Sequence, residues 1–138
     1  QKLIDNPSLI NAAVEEMLRY DGPTGASVRI VKNSHSMHDI RLTAGERVFV
    51  MMDKANHDER AFKDPDVFDI TRSSNFHLTF NVGQHFCMGA PLARLEWQVA
   101  IGEVIRRLPG LELASDSYEY MDTMIMRGVR TMPVRNLQ

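Results

Sequence analysis

The residues best able to do chemistry sit together in Phe80-Asn81-Val82-Gly83-Gln84-His85-Phe86-Cys87-Met88-Gly89, which runs straight into a helix opened by Pro91. Cys87 is the only cysteine of the chain. A cysteine just ahead of a helix start faces free N–H groups and a partial positive charge, both of which stabilise an anionic sulfur. Gly83 and Gly89 remove side chains where backbone must bend sharply or lie flat against a ligand. Phe80 and Phe86 can keep water from the sulfur, and His85 can donate a hydrogen bond to an anionic group beside a metal. The same residue types admit other readings. Cys87 could be a small buried apolar residue, or a nucleophile with His85 as its base in a hydrolase or transferase. A zinc site from His77, His85 and Cys87 lacks a convincing fourth ligand. Spacing alone leaves the choice open.

The elements that must position this loop can be read on either side of it. Asp5 and Asn6 offer a cap, Pro7 suits a first helical position, and Leu9/Ile10, Ala13/Val14 and Met17/Leu18 recur at helical spacing, predicting a helix over 7–20. Strand-like alternation follows at 27–32 and 39–43, with Asn33-Ser34-His35-Ser36 as the turn between them, and 47–52 reads as a more buried strand. Residues 54–60 predict a short helix, and 63–89 a long ordered loop of the kind usually kept for a task. From Pro91 to Leu108 the apolar positions keep helical spacing until Pro109-Gly110 stops it. The tail predicts a hairpin, 123–127 with 129–134, turning at Gly128. The fold class expected is mainly α with small β-sheets, an α+β arrangement.

Composition narrows the functions. With 43% hydrophobic and 25% charged residues and a net charge of −2, the chain reads as globular. A length of 138 residues suggests about two-thirds of the unfolded surface buried. Nothing in that charge drives binding to nucleic acid or to an acidic membrane, and no apolar run is long enough to span a bilayer. One cysteine excludes an internal disulfide and suits a reducing, cytoplasmic setting. Gln1-Lys2-Leu3-Ile4-Asp5 resembles neither a start nor a signal peptide, so the amino-terminus is expected to be a cut edge.

The ligand-like loop resembles that of the cytochrome P-450 family, the haem-thiolate monooxygenases, with Phe80, Gly83, His85, Cys87 and Gly89 at the matching places. Other segments match in order. Glu16-Met17-Leu18-Arg19 resembles the family's glutamate–arginine pair. Ala55-Asn56-His57-Asp58 and Asp64-Pro65-Asp66-Val67-Phe68-Asp69 resemble segments upstream of the loop, and Gly89-Ala90-Pro91-Leu92-Ala93-Arg94-Leu95-Glu96 the helix behind it. The likeness covers nearly all of 6–134 and is closest to soluble bacterial members.

The resemblance implies haem b with Cys87 as axial thiolate. It implies Arg29 and His85 as partners of the haem propionates, and a buried structural pair in Glu16 and Arg19. Val28 and the Met124-Ile125-Met126 strand would touch substrate, while Arg94 and Arg106 would lie on the electron donor's face or be plain solvated arginines. It further implies a small apolar substrate, O2, and electrons from NAD(P)H through a ferredoxin-type partner. Residues 1–138 would form the carboxy-terminal, haem-holding portion of a single domain, inactive by itself, because the oxygen-activating helix with its acid–alcohol pair is not in this sequence. A truncated module with no catalytic role is the rival. Asn81 stands where the family has glycine. Val67 stands where many members place an arginine completing the Glu16–Arg19 network, and Met88, in place of leucine, is expected to fill core space.

Overall fold

The computed structural model describes residues 1–123 and 125–137. Among these residues the fold is mainly helical with three small sheets, as the sequence predicts. A short helix, α1 (Lys2–Asp5), precedes a 3₁₀ turn at Pro7–Leu9, where the Asn6 carboxamide accepts the Ser8 N–H at 3.3 Å. That turn feeds α2 (Ile10–Asp21), which buries Ala13, Val14 and Leu18 together with Glu16 and Arg19. The apolar stripe seen in the sequence is therefore only half of the covered face. Gly22 ends the helix where a Cβ would stand 2.3 Å from the Leu18 carbonyl oxygen and 2.7 Å from Thr79 Cγ2. Only glycine fits that approach.

Strand β1 (Ala26–Ile30) pairs antiparallel with β4 (Arg47–Met51), Ala26 facing Met51 and Ile30 facing Arg47. Between them lie β2 (His35–Met37) and β3 (Ile40–Leu42), a hairpin of their own. This corrects the reading of Asn33–Ser36 as a turn: the reversal falls at His38, whose φ of 52° carries the chain round. Strand β4 is also less buried than its apolar run suggests, because a two-stranded sheet covers one edge and no second layer of this chain lies on its outer face. Helix α3 (Met52–Asn56) follows, inserting Met52 and Asn56 into the core beside α2.

Residues 57–89 hold no helix or strand beyond a 3₁₀ turn at Gly83–His85, in agreement with the long-loop expectation. Helix α4 (Ala90–Arg107) then packs on α2 and buries only Ala90 completely. Among the described residues, no strand pair joins 123–127 to 129–134 through a turn at Gly128. Val129 bridges Tyr120, Met126 bridges Thr24, and the strand at the end is β6 (Val134–Asn136), paired with β5 (Leu111–Leu113). Met124, in the proposed substrate strand, lies outside the described residues. The tail is held instead by β5, by Thr24 beyond α2, and by the segment around Tyr120.

The chain exposes 10158 Å². A compact protein of its mass would expose about 7,300 Å², and burial comes to roughly 55% of the extended chain's surface rather than two-thirds.

Candidate functional site

The site is built on a polar staple at its back. Glu16 and Arg19 lie one turn apart on α2, are 0% and 1% exposed, and pair at 2.8 Å through Nε and 2.9 Å through Nη2. A buried pair is stable only when its remaining donors and lone pairs are satisfied. Here they are. Arg19 Nη1 donates to the carbonyls of Asn56 and Pro65, both at 2.8 Å, and Nη2 to that of Val67 at 3.3 Å. Glu16 accepts the Asp69 N–H at 2.9 Å, Arg72 Nε at 3.2 Å and Asn75 Nδ2 at 2.9 Å. Burial pushes the Glu16 carboxyl pKa up, but hydrogen bonds from Arg19 and Asp69, with the charges of Arg19 and Arg72, leave it below the ordinary value.

Val67 therefore gives the network its backbone oxygen, and Arg72 supplies the guanidinium that a valine lacks. Arg72 also donates to the carbonyls of Lys63, Asp64 and Val67. The sequence reading missed Arg72 and Asn75. Each reaches Glu16 across more than fifty residues from an irregular segment, where no periodicity marks a partner.

A second set of bonds carries this rigidity to the cysteine. Asn56 accepts the Leu78 N–H at 2.7 Å and donates to Thr79 Oγ1 at 3.0 Å, while the Thr79 hydroxyl donates to the Leu18 carbonyl at 2.6 Å. The next residue, Phe80, accepts the Cys87 N–H on its carbonyl at 2.9 Å. The loop between them reverses through two left-handed residues, Asn81 at φ 63° and Gly83 at φ 61°. Asn81 sustains that conformation with its own carboxamide oxygen accepting the Val82 N–H at 3.2 Å.

Beside Phe80 lies a second ionic cluster. Arg94, on the first turns of α4, grips Glu15 in a fork at 2.6 and 3.0 Å. His77 Nε2 meets the same carboxylate at 3.1 Å, and His77 Nδ1 accepts the Thr79 N–H at 3.2 Å. An acceptor at Nδ1 places the ring proton on Nε2, so the imidazole is neutral. Burial, outweighing the attraction of Glu15, holds its pKa below the usual histidine value. For Glu15, burial raises the carboxyl and the Arg94 hydrogen bonds and charge more than reverse it. Arg94 is thus neither free nor simply solvated, whereas Arg106 is exposed on α4 and pairs with Glu103 at 2.7 Å.

Cys87 opens onto a pocket of about 400 Å³ whose lining includes Ala26, Val28, Met52, Phe80, His85 and Ile125. Five residues named from the sequence are thereby brought together: Val28, Phe80, His85, Cys87 and Ile125. Arg29, Gly83, Gly89 and Met126 do not line it. Arg29 folds back along its strand, donating to Ser27 Oγ at 2.5 Å and the Val28 carbonyl at 2.9 Å. Gly89 has an ordinary φ of −80°, and a Cβ there would stand 3.7 Å from Cys87 Sγ, so no sharp bend explains it. Phe86 is 50% and Met88 97% exposed, so Met88 fills no core space among the described residues.

The donor set decides what the pocket can hold. Among the described residues no three His, Cys, Asp or Glu side chains converge on one point. Among the described residues His85 and Cys87 line the same pocket without a hydrogen bond between them. What remains is one accessible sulfur at the edge of an apolar pocket. Such a sulfur could serve as the protein's one ligand to a metal group that brings its other ligands with it.

The cytochrome P450 family model matches residues 1–121, and the chain belongs to that family. Across 133 residues it is 43% identical to the biotin biosynthesis cytochrome P450 of Bacillus subtilis, covering 96% of this chain and 34% of that protein. It is 39% identical to the steroid C26-monooxygenase of Mycobacterium tuberculosis, covering 94% of this chain and 35% of that one. The crystal structure of P450BioI in complex with hexadec-9Z-enoic acid ligated acyl carrier protein superposes with a TM-score of 0.91 at 43% identity, over 99% of this chain and 35% of that structure. The architecture is that of the cytochrome P450 fold, and the chain spans about a third of the length of these relatives.

Proposed function

We propose that this chain is the haem-holding portion of a monooxygenase that inserts one oxygen atom from O2 into a small apolar substrate. The single observation that supports it best is Cys87, exposed on an apolar pocket and fixed through Phe80 to the buried Glu16–Arg19 staple. Haem b, when bound, supplies oxygen activation, with the thiolate as the electron-donating axial ligand.

The chain's own residues bind and orient. Cys87 provides the ligand, and its N–H, held by Phe80, fixes the loop that carries it. His85 on the pocket wall and Arg29 on β1 are the cations proposed for the haem carboxylates. Arg29 must exchange its bonds to Ser27 and Val28 for that role. Val28 and Ile125 give the pocket apolar contacts for substrate, and Met126, bridged to Thr24, holds that segment in place. Electrons come from NAD(P)H through a ferredoxin-type partner. The setting proposed is the cytoplasm, and no helix among the described residues is long and apolar enough to cross a membrane. The relatives' names span biotin synthesis and steroids, so the substrate class proposed here goes no further than "small and apolar".

The intact protein, reduced and exposed to carbon monoxide, is expected to show the red-shifted absorption band of thiolate-ligated haem. Cys87→Ser should abolish it. The same spectrum from both proteins would refute the reading.

A further inference from the structure

The ionic cluster of Glu15, His77 and Arg94 lies next to the cysteine loop and takes no part in the functions described above. Its geometry is specific. The Arg94 guanidinium carbon sits 4.7 Å from the centre of the Phe80 ring, and the His77 ring 5.9 Å from it. Phe80 lines the pocket at Cys87 and accepts the Cys87 N–H, so Arg94 stands one aromatic ring away from the sulfur's surroundings. Glu15 is bound to Arg94 by two hydrogen bonds and to His77 by one, and His77 is kept neutral between Glu15 and the Thr79 N–H. The cluster is therefore one cation and one anion in balance, partly shielded from water, beside a redox centre.

We propose that Arg94 and Glu15 are a positioning pair that acts through Phe80 to set the reduction potential of the haem iron. The inference rests on the haem-thiolate reading. A cation near the iron favours gain of an electron and an anion opposes it, and partial burial keeps either effect from being screened away. Arg94 also holds the Phe80 ring by cation–π stacking. Losing one partner leaves the other's charge uncompensated, so the two single variants must act in opposite senses. A role confined to packing would move both the same way, since each breaks the same pair.

The test is a spectroscopic redox titration of the intact, haem-loaded protein at about pH 8, where His77 is uncharged. Glu15→Gln, leaving Arg94 unbalanced, should raise the equilibrium constant for reduction about three- to tenfold, tenfold being 59 mV for one electron. Arg94→Gln should lower it by a similar factor, and the double variant should return towards the parent. Shifts of the same sign, or none, in variants that keep the thiolate band would overturn the proposal. Should Arg94→Gln take up haem poorly, Glu15→Gln decides alone, and a potential at or below that of the parent rejects the pair's role. An intact parent protein without the thiolate band would instead overturn the haem reading itself.

Discussion

At the scale of single residues, the loop before α4 is shaped by two left-handed positions, of which only one is glycine. Asn81 sustains φ 63° because its short polar side chain bonds the next N–H. An alanine there loses that bond and meets the steric cost of left-handed backbone, so Asn81→Ala is expected to destabilise the protein by about 1–2 kcal/mol. Asn81→Gly should stay within about 1 kcal/mol of the parent. Urea midpoints for the two variants check this, and an alanine variant as stable as the glycine one would contradict it. Arg29 was legible in the sequence only as a cation on a strand. That it turns back to Ser27 and Val28 is a choice its long side chain makes among local acceptors, which no spacing predicts.

At the scale of elements, α2 is a dispatcher. Its Glu16 and Arg19 fasten residues 56–75, its Leu18 carbonyl fastens Thr79, and its Glu15 fastens α4. Arg19→Leu would leave Glu16 buried beside a smaller set of donors, at an expected cost of about 3–5 kcal/mol. Arg72→Ala should cost less, because Arg19 remains paired. Thermal unfolding of both variants tests that order, and the reverse ranking would make Arg72 the principal counter-ion. The pairing of Glu16 with Arg19 could be read from a spacing of three on a helix. Arg72, Asn75 and the Arg94–Glu15 fork could not, since they join segments far apart in the chain through loops without a period.

The same groups give the whole molecule a stability that depends on pH in a definite sense. His77 has a folded pKa below its unfolded value near 6.5, so the unfolded state binds the extra proton and stability falls as pH drops below about 6.5. Glu15 and Glu16 are also depressed, and their contribution is present above about pH 4.3 and lost as pH falls through their folded values. Stability should thus be nearly level above neutrality and fall in two stages in acid. His77→Gln should remove the first stage, as urea midpoints across a pH series would show, and an unaltered profile would exclude His77 as its source. The molecule also carries far more surface than a compact chain of its mass. Leu92, Leu95 and Val99 lie 56% to 60% exposed along α4, forming an uncovered apolar stripe. The 138-residue chain produced alone is therefore expected to self-associate and to bind a hydrophobic dye. Leu95→Lys with Val99→Glu should weaken both, measured by size-exclusion chromatography and dye fluorescence, and a well-behaved parent monomer would contradict the expectation.

The sequence by itself determined the parts that short-range chemistry controls. These are the helix opened by Pro91, the left-handed tolerance of Asn81, the long loop ending at one cysteine, and the pair a turn apart on α2. It also carried the ordered matches that mark the family. The tertiary structure decided which side chains meet: Arg72 on Glu16, Arg94 on Glu15 and Phe80, His85 and Ile125 in the lining of one pocket, and a tail strand paired to β5 instead of to its neighbour. The physical reason is the range of the interactions. Caps, turns and helical spacing act over a few residues and leave a period, whereas a buried charge draws its partners from wherever the folded chain brings a donor within hydrogen-bond reach.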